Sequence, residues 1–305
     1  MKTTFIATVL NEETTIDRLL ESIKKQTVKP DEIIITDGGS TDGTIKKIIE
    51  FKKKHNIQIL VIQIKGNRAM GRNAAIEKAK GEIILCSDAG CILDKDWVKK
   101  IGKPFAHSVD VVAGYYKGQA NTIFQKCLIP YVLVMPDKVK SNTFLPATRS
   151  MAFTKEIWHI VGKFPAQFSH NEDYVFAKEI RKHKANVAFV KSAIVYWSPP
   201  HNIRKVFTML YRFAKGDMQA GIIRPKVVLL FIRYCIVLLL IYFMFLSTDI
   251  FIVLVGLFVI YVVWSVEKNY KYVQNLQAVY ILPLLQFTAD AAVISGTIVG
   301  FFANT

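Results

Sequence analysis

The groups in this chain whose type and placement suit them for chemistry are acidic: Asp37, Asp88 and the pair Glu172-Asp173. In Gly81-Glu82-Ile83-Ile84-Leu85-Cys86-Ser87-Asp88-Ala89-Gly90-Cys91, a short apolar run of strand length stops abruptly at an aspartate and a glycine. A buried parallel strand delivers one acidic side chain to the rim of a sheet in this way. The run Ile33-Ile34-Ile35-Thr36 ends likewise at Asp37, ahead of the turn Gly38-Gly39-Ser40-Thr41-Asp42-Gly43. A single aspartate of this kind is equally well a helix cap or a solvated turn residue. Two at corresponding strand ends, with Asn11 at a third, favour a ligand. Glu172 and Asp173 follow Phe168-Ser169-His170-Asn171 and open a helix whose apolar stripe is Val175, Phe176 and Ile180. Two readings of the pair stand. The acids favour the positive end of a helix capped by Asn171, or they take part in the chemistry of a site.

The elements that must hold these residues alternate. Residues 3–10 read as a buried strand, and Asn11-Glu12-Glu13 opens a helix with a capping residue and two acids at its N-terminal end. Strands over 33–36, 57–64 and 83–87 are separated by helices running to about residue 54 and over 68–79. Three strand-helix repeats ending in a fourth strand predict an α/β domain with a mostly parallel, Rossmann-like sheet, whose ligand crevice lies at the strands' carboxyl ends. The first strand runs into Ala7-Thr8-Val9-Leu10-Asn11-Glu12, so neither GxGxxG nor GxxxxGK[ST] follows it. That excludes a dinucleotide-dependent dehydrogenase and a P-loop ATPase. A further strand is expected over 109–115, and Tyr196-Trp197-Ser198-Pro199-Pro200 leads into an amphipathic basic segment over 201–221, with Arg204, Lys205, Arg212 and Lys215.

Charge and apolarity divide the chain of 305 residues: 37 of its 40 Lys and Arg and 21 of its 24 Asp and Glu lie before residue 227, so the whole net charge of +16 sits there. Such charge attracts nucleic acid, an anionic membrane surface or phosphate-bearing small molecules. No zinc finger, aromatic RNA-binding signature or KH-type loop is present, so no nucleic-acid partner is expected. Cys86, Cys91, Cys127 and Cys235 form no CxxC pairing, which speaks against a zinc site and fits a reducing compartment. The strand-like run begins by Thr3, which leaves no room for a cleavable signal peptide. Residues 227–246, broken only by Arg233, then 250–266 and 278–302 are apolar runs near the length that crosses a hydrocarbon core of about 30 Å. Three transmembrane helices are expected. Arg224 and Lys226 precede the first, and Lys268 and Lys271 precede the third, so the positive-inside rule places the N-terminal domain in the cytoplasm. Asp290 would be costly against lipid and is expected to face protein, near Arg233 or Gln286. The resulting division is a domain over 1–222, with halves 1–103 and 104–222, and a membrane region over 223–305.

Four motifs occur in order: Thr8-Val9-Leu10-Asn11-Glu12-Glu13, Thr36-Asp37-Gly38-Gly39-Ser40-Thr41-Asp42-Gly43-Thr44, Gly71-Arg72-Asn73-Ala74-Ala75-Ile76 and Asp88-Ala89-Gly90. This ordered set resembles the signatures of family 2 glycosyltransferases of the GT-A fold, over roughly residues 3–220. The resemblance implies a UDP- or GDP-linked sugar donor held by Thr8, Asn11, Glu12, Asp37 and Arg72. Asp37 would face an imide N–H of the base, and Arg72 would lie near the base and phosphates. Asp88 would be the first acid of the DxD motif, holding ribose and a Mg or Mn ion. The second acid of that motif falls at Gly90 here, leaving diphosphate oxygens and water, or His170 or His201, to complete a metal shell. Arg149, in the segment 144–153, either binds phosphate or braces its loop. Glu172-Asp173 would be the family's Glu-Asp motif, with Asp173 the base. Arg212, within 211–217, would cover the leaving diphosphate, or its helix would lie among membrane lipid headgroups, or both. A polyprenyl phosphate is already ionised and needs no base, so the Glu172-Asp173 pair points to a hydroxyl of a lipid-linked or glycan acceptor. The rivals are a polyprenyl-phosphate glycosyltransferase and a non-catalytic membrane protein that only binds a nucleotide.

Overall fold

The computed structural model describes residues 1–245 and 247–303, residue 142 by its backbone alone. Its order is β1 (Thr3–Val9), α1 (Ile16–Lys24), β2 (Glu32–Asp37), α2 (Thr44–His55), β3 (Leu60–Gln63), α3 (Arg68–Lys78), β4 (Ile83–Cys86), β5 (Cys91–Leu93) and α4 (Trp97–Gly102). There follow β6 (Val111–Gly118), α5 (Ile123–Val132), β7 (Met151–Thr154), α6 (Lys155–Ile160), α7 (Glu172–Lys182) and β8 (Val187–Trp197). The chain ends in α8 (Ile203–Gln219), α9 (Pro225–Phe243), α10 (Thr248–Val273) and α11 (Ala278–Phe302). It forms two compact units: residues 1–119 with 135–198, and residues 120–134 with 199–305. This division differs from the boundary drawn at 222, because α5 and α8 group with the apolar helices.

The first unit is an α/β layer structure on one mixed sheet, ordered β3-β2-β1-β4-β7-β6-β8-β5. Its parallel half, β3-β2-β1-β4, is the repeat read from the sequence. Val9 lies opposite Asp37 in register, so β1 and β2 end at the same edge. Beyond β4, β7 runs antiparallel to both neighbours, while β6 and β8 pair in parallel with a register shift after Gly114. The strand β5, antiparallel to β8, has no counterpart in the sequence reading. Alternation along each strand feeds two cores. Phe5, Ile35 and Leu85 pack with Trp97 on one face, and Ile6, Ile34 and Ile84 pack with Phe153 and Phe176 on the other. The first helix starts at Ile16, later than expected: Asn11 has φ 55° and turns the chain instead of capping it.

In the second unit, α9, α10 and α11 are long and apolar enough to cross a membrane. The helix α10 continues to Val273, seven residues past the predicted apolar run, through the polar Glu267 to Lys271, and stops where Gln274 turns left-handed at φ 50°. Helix α8 packs on α11 at Gly296 and Gly300, where an added β-carbon would stand 2.4 Å from the Tyr211 carbonyl oxygen and 2.7 Å from that of Lys215. Small residues four apart let helix backbones approach this closely. Asp290 faces protein: Arg233 donates to it at 2.8 Å, Tyr234 at 3.0 Å, Gln286 at 2.9 Å, and Tyr261 also donates.

Candidate active site

Asp88 emerges two residues after β4, with its side chain 34% exposed at the sheet edge. Its partner comes from α3. That helix lies close on β1 and β2 because residue 71 is glycine: a β-carbon there would stand 2.9 Å from Thr36 Oγ1 and 3.0 Å from Thr8 Cγ2. The next residue, Arg72, is 2% exposed. Its Nη2 donates to Asp88 Oδ1 at 3.0 Å, and its Nη1 donates to Glu172 Oε1 at 2.5 Å. One buried guanidinium thereby joins α3, the end of β4 and the start of α7. A charge so deep is tolerated only when it is paired and hydrogen-bonded. Burial pushes Arg72 down, but Glu172 and then Asp88 hold it above the usual arginine value, so it stays cationic. The resemblance placed Arg72 against base and phosphates; in the structure its donor fork faces two protein carboxylates.

Asp173 follows on α7 and accepts the Thr148 hydroxyl at 3.4 Å and the Tyr174 N–H at 2.9 Å. Burial raises its pKa, the neighbouring Glu172 raises it further, and Arg72 opposes both. Asp88 is driven the other way. Burial pushes it up, yet Arg72, Arg68 and Arg149 together hold it below the ordinary carboxylate range. Two acids of one site are thus separated in character, one held ionised and one suited to taking a proton. The Asn171 side chain does not cap α7; its backbone turns left-handed there, at φ 60°.

At the ends of β1 and β2 a second set of residues fixes the loop 38–43. Asp37, 1% exposed, accepts the Gly39 N–H at 3.1 Å, the Ser40 N–H at 3.0 Å and the Ser40 hydroxyl at 2.5 Å. Asn11 donates its N–H to Ser40 Oγ at 2.9 Å and accepts the Thr41 N–H on its side chain at 2.9 Å. Glu12, partly buried, accepts the Thr15 hydroxyl; burial raises its pKa, while Thr15 and the charge of Arg68 oppose the rise. Thr8 lies on β1 beside α3. The carbonyl of Arg149 accepts the Ser87 hydroxyl at 2.8 Å, which ties that arginine to the Asp88 strand end, and its guanidinium lies over Trp197 at 5.0 Å and Tyr116 at 5.6 Å. Arg212 and His201 lie exposed in the second unit, and His170 precedes α7.

Sequence reasoning missed Tyr116, Trp197, Thr148 and Arg68. Only Arg68 carried a signal, as a second arginine one helical turn before Arg72. No group of three His, Cys, Asp or Glu side chains is gathered for a metal among the described residues. Asp88 is the rim carboxylate, and beside it an added β-carbon at Gly90 meets nothing within 4 Å. An opening with one carboxylate suits a hard divalent ion that takes its other ligands from diphosphate oxygens and water.

The profile of glycosyl transferase family 2 matches residues 4–156. A poly-beta-1,6-N-acetyl-D-glucosamine synthase of Staphylococcus epidermidis is 33% identical over 92 residues, covering 30% of this chain and 22% of that protein. The synthase of Staphylococcus aureus strain COL is 30% identical over 93 residues, covering 30% and 23%. The aligned region therefore spans under a quarter of these relatives. Among solved structures, the mannosyltransferase PcManGT from Pyrobaculum calidifontis, in complex with GDP-Man and Mn2+, superimposes with a TM-score of 0.65 at 18% identity, covering 100% of this chain and 88% of that one. Residues 1–349 of S. aureus TarS, in complex with UDP-GlcNAc, give a TM-score of 0.51 at 18% identity, covering 70% and 66%. At 18% identity these likenesses are ones of fold alone.

Proposed function

The chain belongs to glycosyl transferase family 2, and from that premise we propose that it is a membrane-anchored inverting glycosyltransferase. It moves a sugar from a nucleotide-linked donor to a hydroxyl of a lipid-linked or glycan acceptor. The observation that carries this reading is the buried Arg72, which holds Asp88 and Glu172 on its two terminal nitrogens and so ties the donor rim to the residue before Asp173. Asp173 accepts the proton of the acceptor hydroxyl as its oxygen bonds to the anomeric carbon. The bond from that carbon to the diphosphate oxygen breaks, and the nucleoside diphosphate departs unprotonated. Attack from the face opposite the leaving group inverts the anomeric centre. Thr8, Asn11, Glu12 and Asp37 line the nucleotide end of the crevice, where the hydrogen bonds of Asn11 and Asp37 fix the loop 38–43.

Asp88 is the residue that would hold a Mg or Mn ion, shared with the donor; such an ion neutralises charge on the departing diphosphate. The PcManGT structure with GDP-Man and Mn2+ and the TarS structure with UDP-GlcNAc make GDP- and UDP-linked sugars the donors to test. The three apolar helices anchor the protein in the membrane, and Arg224, Lys226, Lys268 and Lys271 orient the catalytic unit to the cytoplasm. The reading is tested by Asp173→Asn, which keeps the shape of the side chain and removes the base. Donor binding persists and transfer is lost. Transfer that survives in Asp173→Asn identifies an ionised phosphate acceptor instead.

A further inference from the structure

Residues 161–171 join α6 to α7 through turns and bends, and they deliver Glu172 and Asp173 to the site. The backbone is left-handed at Gly162 (φ 86°) and Lys163 (φ 71°) at one end and at Asn171 (φ 60°) at the other. A connection of this kind depends on outside partners for its backbone polar groups. Helix α3 supplies them. The side-chain oxygen of Asn73 accepts the Phe164 N–H at 3.0 Å and the Trp158 indole N–H at 3.1 Å, and its amide donates to the Phe164 carbonyl at 2.8 Å. One side chain thereby holds both backbone groups of a residue 91 positions away. Six residues earlier, Asn67 caps α3 by accepting the Met70 N–H, and it donates to the carbonyls of Ala166 at 2.6 Å and Phe168 at 3.3 Å. Phe164, 2% exposed, stacks on Phe176 at 4.1 Å. Phe176 stands three residues after Asp173 on α7, so the two are neighbours on one helix face. Arg72 grips α7 at the Glu172 carboxylate, on the end of a side chain, whereas Asn73 grips the main chain that leads into the helix.

We propose that Asn73 is a positioning residue for the transfer: by fixing Phe164 at both of its backbone groups, it sets where α7 begins and so where Asp173 stands relative to the donor rim. The proposal rests on the reading of Asp173 as the base. Asn73 acts through Phe164 and Phe176 and takes no part in binding the donor. A reacting group displaced by about 1 Å can lose a large part of its rate, so the loss of Asn73 falls on kcat and spares donor affinity.

The test uses full-length protein in detergent micelles, below the thermal midpoint of every variant. Transfer from UDP- and GDP-sugars to a native membrane-lipid extract gives kcat, and calorimetry with UDP and GDP gives donor-site affinity. Asn73→Ala is expected to lower kcat by about tenfold or more while nucleotide affinity stays within about threefold of the parent. Added to Asp173→Asn, it is expected to lower transfer by less than about twofold further, because a residue that acts through the base has nothing left to position. Where Asn73→Ala does not fold, Asn73→Asp serves: it keeps the two accepted bonds, loses the donated one, and is expected to lower kcat by about threefold or more at parental affinity. A parental kcat in these variants, a loss of nucleotide affinity as large as the loss of kcat, or a full multiplicative loss in the double variant overturns the proposal and leaves the base reading intact. Transfer that survives in Asp173→Asn overturns both.

Discussion

Around Arg72 the same functional group occurs three times, in Asp88, Glu172 and Asp173, and the surroundings give each a different task. Asp88 bonds to a cation and is held ionised; Asp173 is next in sequence to Glu172 and partly buried, in a setting that favours its neutral form. A base works only when deprotonated, so turnover is expected to fall as pH drops through a midpoint above the ordinary aspartate value of about 4. Removing the cation that opposes this shift favours the protonated acid further. In Arg72→Met the acidic limb of a kcat-against-pH profile therefore moves to higher pH, and the maximal rate also falls. A limb unmoved in Arg72→Met would detach Asp173 from the base role. At this scale the sequence displayed the acids well, because a strand end followed by Asp and a helix start bearing Glu-Asp are local patterns. The partners were illegible. Arg72 meets Glu172 across one hundred positions of chain, and no spacing rule announces that contact.

The elements explain why those side chains arrive together. Gly71 brings α3 onto β1 and β2, and Arg72 follows from that closeness. In Gly71→Val the added methyl groups meet Thr36 and Thr8, with an expected cost of about 1–3 kcal/mol and a lower thermal midpoint for the full-length protein. Unchanged stability in that variant would mean that α3 has room to shift. The parallel half of the sheet was legible because its strands alternate with helices at short intervals. Of the other half only β6 was read, as the strand expected over 109–115; β5, β7 and β8 were not, since pairing there joins segments up to about a hundred residues apart and leaves no repeat in the sequence. In the apolar helices, Arg233 and Asp290 pair within hydrocarbon-length spans. Asp290→Leu alone leaves Arg233 without its carboxylate and is expected to lower the thermal midpoint in detergent. Adding Arg233→Met should recover much of that loss, because the unpaired charge, more than the missing pair, is what costs stability. A double variant no better than the single would refute that explanation.

Over the whole molecule, charge and apolarity are kept apart: the net +16 lies before residue 227, and the spans follow. This separation was legible from composition alone, whereas the membership of α5 and α8 in the second unit was not, because α8 depends on close packing at Gly296 and Gly300 and α5 on its packing against α10 and α11. The positive-inside arrangement predicts that a cysteine at Ser247 reacts with an impermeant maleimide from outside intact cells and that one at Asn275 does not; the reverse pattern would invert the topology. The central claim is that Asp173 accepts a proton from a hydroxyl acceptor beside a nucleotide-sugar site anchored in the membrane. Its most direct measurement is transfer by purified full-length protein from a panel of UDP- and GDP-sugars to a native membrane-lipid extract, with donor affinity measured in parallel for the parent and Asp173→Asn. The account predicts release of one nucleoside diphosphate by the parent and a loss of about 10²–10⁴-fold in Asp173→Asn at unchanged donor affinity. Transfer by Asp173→Asn at close to the parental rate would contradict it.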